Sequence, residues 1–132
     1  MDEESVGSTT TGSPATEIAS FLGGFVAAEG CFTAAPGGLR YRFSIGLGAV
    51  DAGMCAAFLS LFGCGRVRQY GRRRPHYDDE VVFAVQSKRD LVEVVLPFMD
   101  AHLPASYKRS QYLAWRAQLL DAWEHRSRRT RG

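Results

Sequence analysis

The chain has 132 residues, 45% apolar and 23% charged, so it is long enough for one domain with a single core, and its composition excludes a fully disordered chain. Its net charge of +2 hides an uneven distribution, because residues 1–30 carry five of the 14 acids and no Lys or Arg. The remainder sets all 16 basic residues against the other nine acids, a net +7. That excess is typical of a nucleic-acid binder.

The cysteine pattern and the lack of long apolar runs indicate which cellular compartment to expect. Cys31, Cys55 and Cys64 form no CxxC pair and show no ligand spacing with histidine, which argues against a disulfide framework or a zinc site and favours a reducing environment. The sequence has no apolar run of transmembrane length, and its acidic, polar start is unlike a signal peptide. We therefore expect a cytoplasmic protein that does not contact a membrane.

The first helix is predicted from Thr16 to Glu29, after a disordered polar leader at residues 1–15. Gly30 is expected to end it in a left-handed cap. Glu29 in the last turn is opposed by the helix dipole, so a cation is expected to offset its charge, and Mg²⁺ is a natural candidate. Small residues spaced at i,i+4 predict a smooth stripe for a second helix: Gly23, Gly24, Ala27 and Ala28.

Two strands follow, from Cys31 to Ala35 and from Leu39 to Ala49, joined by a turn at 36–38. The second alternates clearly, which predicts a sheet with one buried and one polar face. The buried face takes Leu39, Tyr41, Phe43, Ile45 and Leu47, and the polar face takes Arg40, Arg42, Ser44, Gly46 and Gly48.

The next helix is predicted from Asp51, as its cap, to Phe62, with Gly63 ending it. It should bury Met54, Phe58 and Leu61.

A second strand pair is predicted at 65–72 and 80–86, followed by helices at 88–99 and 107–125 and a basic tail at 126–132. The tail either contacts DNA phosphates or only aids solubility. In the third strand the polar face repeats the basic pattern with Arg66, Arg68, Tyr70 and Arg72. The element order is αββαββαα.

The segment from Leu22 to Gly30, LGGFVAAEG, resembles the nine-residue motif of the LAGLIDADG homing endonucleases. The element order, the FGCGRV block and the LPASYKRSQYLAW block extend the resemblance over residues 17 to 125. It implies an α+β half-domain, in which helices back a curved antiparallel sheet that binds DNA. A single copy of the motif implies the branch of the family whose members act as homodimers. The domain is expected to extend from residue 16 to residue 125.

The resemblance also implies roles for residues. Glu29 and the carbonyl of Ala28 would bind Mg²⁺ (or Mn²⁺), and Lys108 would approach the scissile phosphate, unless it is only an exposed phosphate-binding or solubilising lysine. Family members commonly have a polar residue that helps to position the hydrolytic water where this chain has Gly48 and Ala49. Either Asp51 or a further water would take over that role, or the activity would be weakened. The dimer seam would be Gly23, Gly24, Ala27 and Ala28. Bases would be read by Cys31, Thr33, Arg40, Arg42, Ser44, Gly46, Arg66, Arg68, Tyr70 and Arg72.

The sequence thus predicts a site-specific double-strand DNA endonuclease that acts as a homodimer in intron homing and takes no small-molecule substrate. The first alternative is a binding module that keeps the same saddle for DNA or intron RNA, as a regulator or maturase, after losing cleavage. The second is an unrelated α+β regulator with a fortuitous motif.

Overall fold

The computed structural model describes residues 14–37, 40–71 and 79–131, with the backbone alone at 126–131. Its element order confirms the predicted αββαββαα. The elements are α1 Pro14–Glu29, β1 Gly30–Ala34, β2 Tyr41–Gly48, α2 Ala52–Phe62, β3 Arg66–Tyr70, β4 Glu80–Val85, α3 over 88–102 and α4 Tyr107–Arg131. Most of the predicted leader, the residues Gly38 and Leu39, and Arg72 lie outside the described residues.

Helix α1 begins at Pro14, two residues before its predicted start. Proline suits the first helical position, because its missing N–H would have no intrahelical partner there. Its inner side buries Leu22 and Val26. The predicted left-handed cap at Gly30 is wrong, since Gly30 has no positive φ and instead opens β1 opposite Ile45. A Cβ at Gly30 would lie 2.6 Å from Cγ1 of Val26, so close packing requires this glycine.

The sheet is antiparallel with strand order β1-β2-β4-β3, so each hairpin contributes one central strand. The predicted alternation of β2 is confirmed. Its inner face and that of β4 form the floor of the core, where six side chains are at most 4% exposed: Tyr41, Phe43, Ile45, Val81, Phe83 and Val85.

Helix α2 covers this floor, and Gly63 ends it at φ 70° as predicted. The buried residues are Cys55, Phe58 and Phe62, whereas the predicted set is Met54, Phe58 and Leu61. Phe58 is confirmed and Met54 is partly buried against the core, but Leu61 is exposed, so the prediction is wrong for Leu61. Both sets fit a helical period. Aromatic packing decides between them, since the Phe58 and Phe62 rings lie 5.8 and 5.7 Å from the ring of Phe83.

Helix α3 starts at the N-cap Ser87, whose hydroxyl accepts a hydrogen bond from the Asp90 amide at 3.3 Å. It includes a π turn at Leu91–Val95 and continues to His102, three residues beyond its predicted end. Among the described residues, no helix has the length and apolarity needed to cross a bilayer.

Helix α4 is tied to the rest of the fold by polar contacts. The hydroxyl of Tyr112 lies 2.6 Å from Oδ1 of Asp100, which Arg116 also binds at 3.0 Å. The indole N–H of Trp115 donates to the Thr33 carbonyl at 2.9 Å, which joins α4 to β1. The helix runs on to Arg131 and takes in most of the predicted tail.

Candidate nucleic-acid interface

The outer face of the sheet brings together the predicted polar residues of three strands. Strand pairing places Cys31, Ser44, Ala84 and Arg66 in one row, and Gly46, Val82 and Arg68 in the next. A third row holds Gly48, Glu80 and Tyr70, and Thr33 lies opposite Arg42. The shared parity of the arginine-bearing strands therefore gives a single basic surface. Ser44 is only 9% exposed, because its neighbours cover it.

The four described arginines of the predicted DNA-binding set differ in their exposure to solvent. Arg40, Arg66 and Arg68 are exposed, whereas Arg42 is half-buried. The Nε of Arg42 is buried and has no hydrogen-bond partner within the described ranges. An unpartnered buried donor is costly, so this guanidinium is suited to an incoming acceptor.

Two grooves meet at Arg42. One, of about 560 Å³, is bordered by Arg66, Arg68 and Tyr70. The other, of about 550 Å³, is bordered by Thr33, Arg40 and further residues. Both grooves carry positive charge and open on the outer face.

The sequence reasoning missed the part of this surface that comes from β4 and the residues after it. Glu80 and Val82 lie on the outer face, while Gln86 and Lys88 border the grooves. Lys88 lies 5.8 Å from the ring centroid of Tyr41, a cation–π distance. The alternation of β4 could have revealed this face, but its outward Val82 and Ala84 look like core residues.

The small-residue stripe of α1 divides between two sides of the helix. Gly23 is buried against His102 of the same chain, and Ala27 is half-buried and packs partly against the core, so the seam role of these two residues stays a prediction. Gly24 and Ala28 are exposed, and a Cβ at Gly24 would meet nothing within 4 Å. Beside them Ile18 is 53% and Phe21 is 61% exposed.

Glu29 ends α1 where this exposed face meets the sheet. Its side chain is exposed and has no hydrogen bond or ion pair with any described residue, so the described part of the chain supplies no cation for it. Over the same ranges, no three His, Cys, Asp or Glu side chains gather as metal ligands. One carboxylate with a nearby carbonyl suits Mg²⁺, which takes one or two carboxylates and fills its remaining positions with waters and phosphates.

Of the two basic residues at the start of α4, only one is free to act on a ligand. Arg109 donates to the carbonyls of Met99 and Leu103 and so caps the end of α3. Lys108 is half-buried and forms no hydrogen bond or ion pair with the described residues.

Comparison with known proteins then decides the family. The sequence model described as LAGLIDADG endonuclease matches residues 22–119. The chain belongs to the LAGLIDADG endonuclease family. No curated protein sequence matches it.

Solved structures agree with the LAGLIDADG fold. The meganuclease I-SmaMI bound to uncleavable DNA superposes with a TM-score of 0.70 at 21% identity, over 82% of this chain and 38% of that one. The homing endonuclease I-TnaI gives 0.67 at 23% identity, over 81% of this chain and 74% of that one. I-LtrWI bound to target DNA gives 0.61 at 21%, over 75% and 35%. The chain therefore spans little more than a third of I-SmaMI.

The end of β2, where the family resemblance implies a polar residue, carries none in this chain. Gly48 and Ala49 provide no polar side chain at the end of β2. Asp51 occupies the N-cap of α2, but its side chain makes no capping hydrogen bond, so the prediction that it caps the helix is wrong in this respect. Its exposed carboxylate has no hydrogen bond or ion pair to the described residues and is free to orient water.

Two of the three thiols are poorly suited to act as nucleophiles. Cys55 is buried and Cys64 half-buried, and burial raises the pKa of both, with Asp90 raising that of Cys64 further. Cys31 is exposed on the outer face of β1, where its predicted role is contact with DNA.

Proposed function

We propose that the protein is a site-specific DNA endonuclease that binds a long, partly palindromic duplex as a homodimer and hydrolyses one phosphodiester in each strand. One observation carries the proposal. The free carboxylate of Glu29 lies at the end of an uncovered helix face and at the margin of a basic sheet surface. A carboxylate beside a bound phosphate backbone is repelled unless a cation offsets its charge, which suits a metal ligand.

The homodimer is supported by the exposed face of α1. Phe21 and Ile18 are more than half exposed, and Gly24 and Ala28 beside them would allow a second helix to approach closely. A contiguous apolar patch of this kind marks an interface. Two copies would also make up the length that one chain lacks relative to I-SmaMI.

DNA binding rests on the outer face of the sheet. In the major groove, arginine donates two hydrogen bonds to guanine, and other cations hold phosphates. Arg40, Arg66 and Arg68 are exposed and can make such contacts. The Nε of Arg42 has no hydrogen-bond partner among the described residues and can donate to an acceptor on DNA.

Cleavage would use oxygen ligands at the end of α1. Glu29 and the carbonyl of Ala28 would hold Mg²⁺ (or Mn²⁺), which lowers the pKa of water and supplies a nucleophile when bound. Lys108 would stabilise the charge that develops on the scissile phosphate. Asp51 would orient water in place of the missing polar residue.

The test is a selection from a randomised duplex library, performed with Mg²⁺ and again with Ca²⁺. We expect one partly symmetric site to be retained in Ca²⁺ and cut in both strands in Mg²⁺. Glu29→Gln is the control for cutting. If the wild-type protein selects no sequence under either condition, the proposal is wrong.

A cleavage-deficient DNA- or intron-RNA-binding protein is the second candidate. Gly48 and Ala49 favour it, because they leave the water-positioning place without a side chain. Tight binding to a selected site with no nicking in Mg²⁺ or Mn²⁺ would establish it, and preferential retention of intron RNA would indicate the maturase form.

A further inference from the structure

An acid lies on the basic face, at one end of a central strand. Glu80 opens β4, opposite Gly48 on one side and Tyr70 on the other. Its Oε2 lies only 2.8 Å from the place where a Cβ would stand on Gly46, so the carboxylate leans over β2 and away from β3.

Within the part of the chain that the structure describes, the carboxylate of Glu80 has no partner. It forms no hydrogen bond or ion pair with the described residues, although Arg68 lies on the same face opposite the neighbouring Val82. Glu80 therefore does not hold the arginine in place, and it keeps its full capacity to accept hydrogen bonds.

Two glycines create the space above this part of β2. Gly46 and Gly48 both lack a side chain on the outer face, and a Cβ at Gly48 would meet nothing within 4 Å. Any side chain at Gly46 would instead compete with the carboxylate. The outer face of β2 is therefore open at these two glycines, and the Glu80 carboxylate borders the open space.

A carboxylate facing the major groove repels phosphates and needs a donor. The donors there are the amino groups of cytosine and adenine, and a carboxylate is the usual acceptor for cytosine N4. We propose that Glu80 determines specificity by reading a cytosine, with Gly46 keeping its carboxylate in place. This inference rests on the proposed function, since it requires the sheet to bind duplex DNA.

The register gives the position of that base. Gly30 pairs with Ile45, so Glu29 lies at the end of the sheet that contains Gly46 and Glu80. Arg40 and Arg42 lie toward the opposite end. The cytosine read by Glu80 should therefore lie in the inner part of each half-site, near the cleaved bond.

The experiment compares selected sites in Ca²⁺ for the wild type, Glu80→Ala, Glu80→Gln, Gly46→Ala and Gly48→Ala. We expect the wild type to prefer cytosine at one inner position and Glu80→Ala to lose that preference by about tenfold or more. Glu80→Gln should change the preference to adenine, the base that glutamine pairs with. Gly46→Ala should relax the same position, and the matched Gly48→Ala should not.

The inference is overturned if Glu80→Ala leaves the selected site unchanged, or if it alters only guanines read by arginines. Equal profiles for Gly46→Ala and the wild type would overturn the part assigned to glycine, and circular dichroism would verify that each variant is folded. Failure of the wild type to select any site contradicts the proposed function itself, so the two failures are distinguishable.

Discussion

Gly23 lies against the backbone of His102, so close that a Cβ at Gly23 would stand 2.7 Å from the His102 carbonyl carbon. This contact seats α1 on the end of α3 within one chain. It leaves Gly24, the next residue, pointing away from the core with open space around it. The two adjacent glycines thus lie on different sides of α1, with Gly23 against the fold and Gly24 facing outward.

The first prediction concerns folding. Gly23→Ala should destabilise the protein by about 1–3 kcal/mol, because the alanine methyl meets backbone that cannot move aside easily. Gly24→Ala is the matched control and should be at least as stable as the wild type, since alanine favours the helix. Thermal unfolding at one fixed protein concentration measures both. Equal melting temperatures for the two variants would show that the close contact does not exist in solution.

The second prediction concerns assembly. Gly24→Leu should weaken the dimer at least tenfold, because a leucine there blocks the approach of a second helix, while its Cβ meets nothing within 4 Å in the described part of its own chain. Gly53→Leu is the control, as a Cβ at this exposed glycine of α2 also meets nothing. Sedimentation equilibrium gives the association constants. A wild-type protein that stays monomeric at micromolar concentration, with and without DNA, would disprove the homodimer.

The third prediction concerns the carboxylate of α1. Glu29→Gln should abolish cleavage while keeping site-specific binding, because the amide preserves shape but removes charge. Without metal, the variant should be as stable as the wild type or more stable by up to ~1 kcal/mol, since a negative charge at a helix carboxyl end is unfavourable. Cleavage assays in Mg²⁺, together with unfolding in a chelator, test both points. Cutting at the wild-type rate would remove Glu29 from the active site.

The fourth prediction separates base contacts from phosphate contacts. Lys88→Ala should weaken binding to all sequences alike and reduce the salt slope by about one. Arg42→Ala should cost ~1–3 kcal/mol and relax one base position if its guanidinium reads a base. Arg89→Ala is the control, because Arg89 is exposed on α3 and pairs with Glu93 at 3.2 Å. Unchanged affinity and salt slope for both Lys88→Ala and Arg42→Ala would mean that DNA does not bind these grooves.

The fifth prediction is a pH dependence. Burial alone would raise the pKa of Asp100, but hydrogen bonds from Tyr112 and Arg116 and the charges of Arg116 and Arg109 lower it below the ordinary 3.8. An acid with a depressed folded-state pKa contributes stability above its unfolded pKa and loses it as the pH falls through the folded value. Asp100 should therefore stabilise the fold at neutral pH and cease to do so in acid below pH 3.8.

Tyr112→Phe and Asp100→Asn test this network. Each should lower the free energy of unfolding at neutral pH by about 1 kcal/mol, the ordinary contribution of a hydrogen bond. Because Asp100 is partly exposed, solvent limits the effect of its ion pair. Urea unfolding at pH 7 and in acid should show the Asp100→Asn difference shrinking at low pH. A difference that stays constant would show that the carboxylate is not the titrating group.

Local patterns in the sequence were sufficient to predict the helices and strands and their order along the chain. The alternation of Tyr41, Phe43 and Ile45 gave the inner face of β2, and Gly63 gave the end of α2, because each depends on a few neighbouring residues. The motif gave Glu29 as the candidate carboxylate. Its metal and its catalytic role stay predictions.

Only the tertiary structure decided between patterns that were equally good locally. Leu61 and Phe62 both fit the apolar side of a helix, and contact with the Phe83 ring selects Phe62 as the buried residue. Strand register, which pairs β4 with β2 as well as with β3, places Glu80 beside Gly46. The physical reason is that a helix or strand period fixes which residues share a face, whereas distant parts of the chain fix which face is buried.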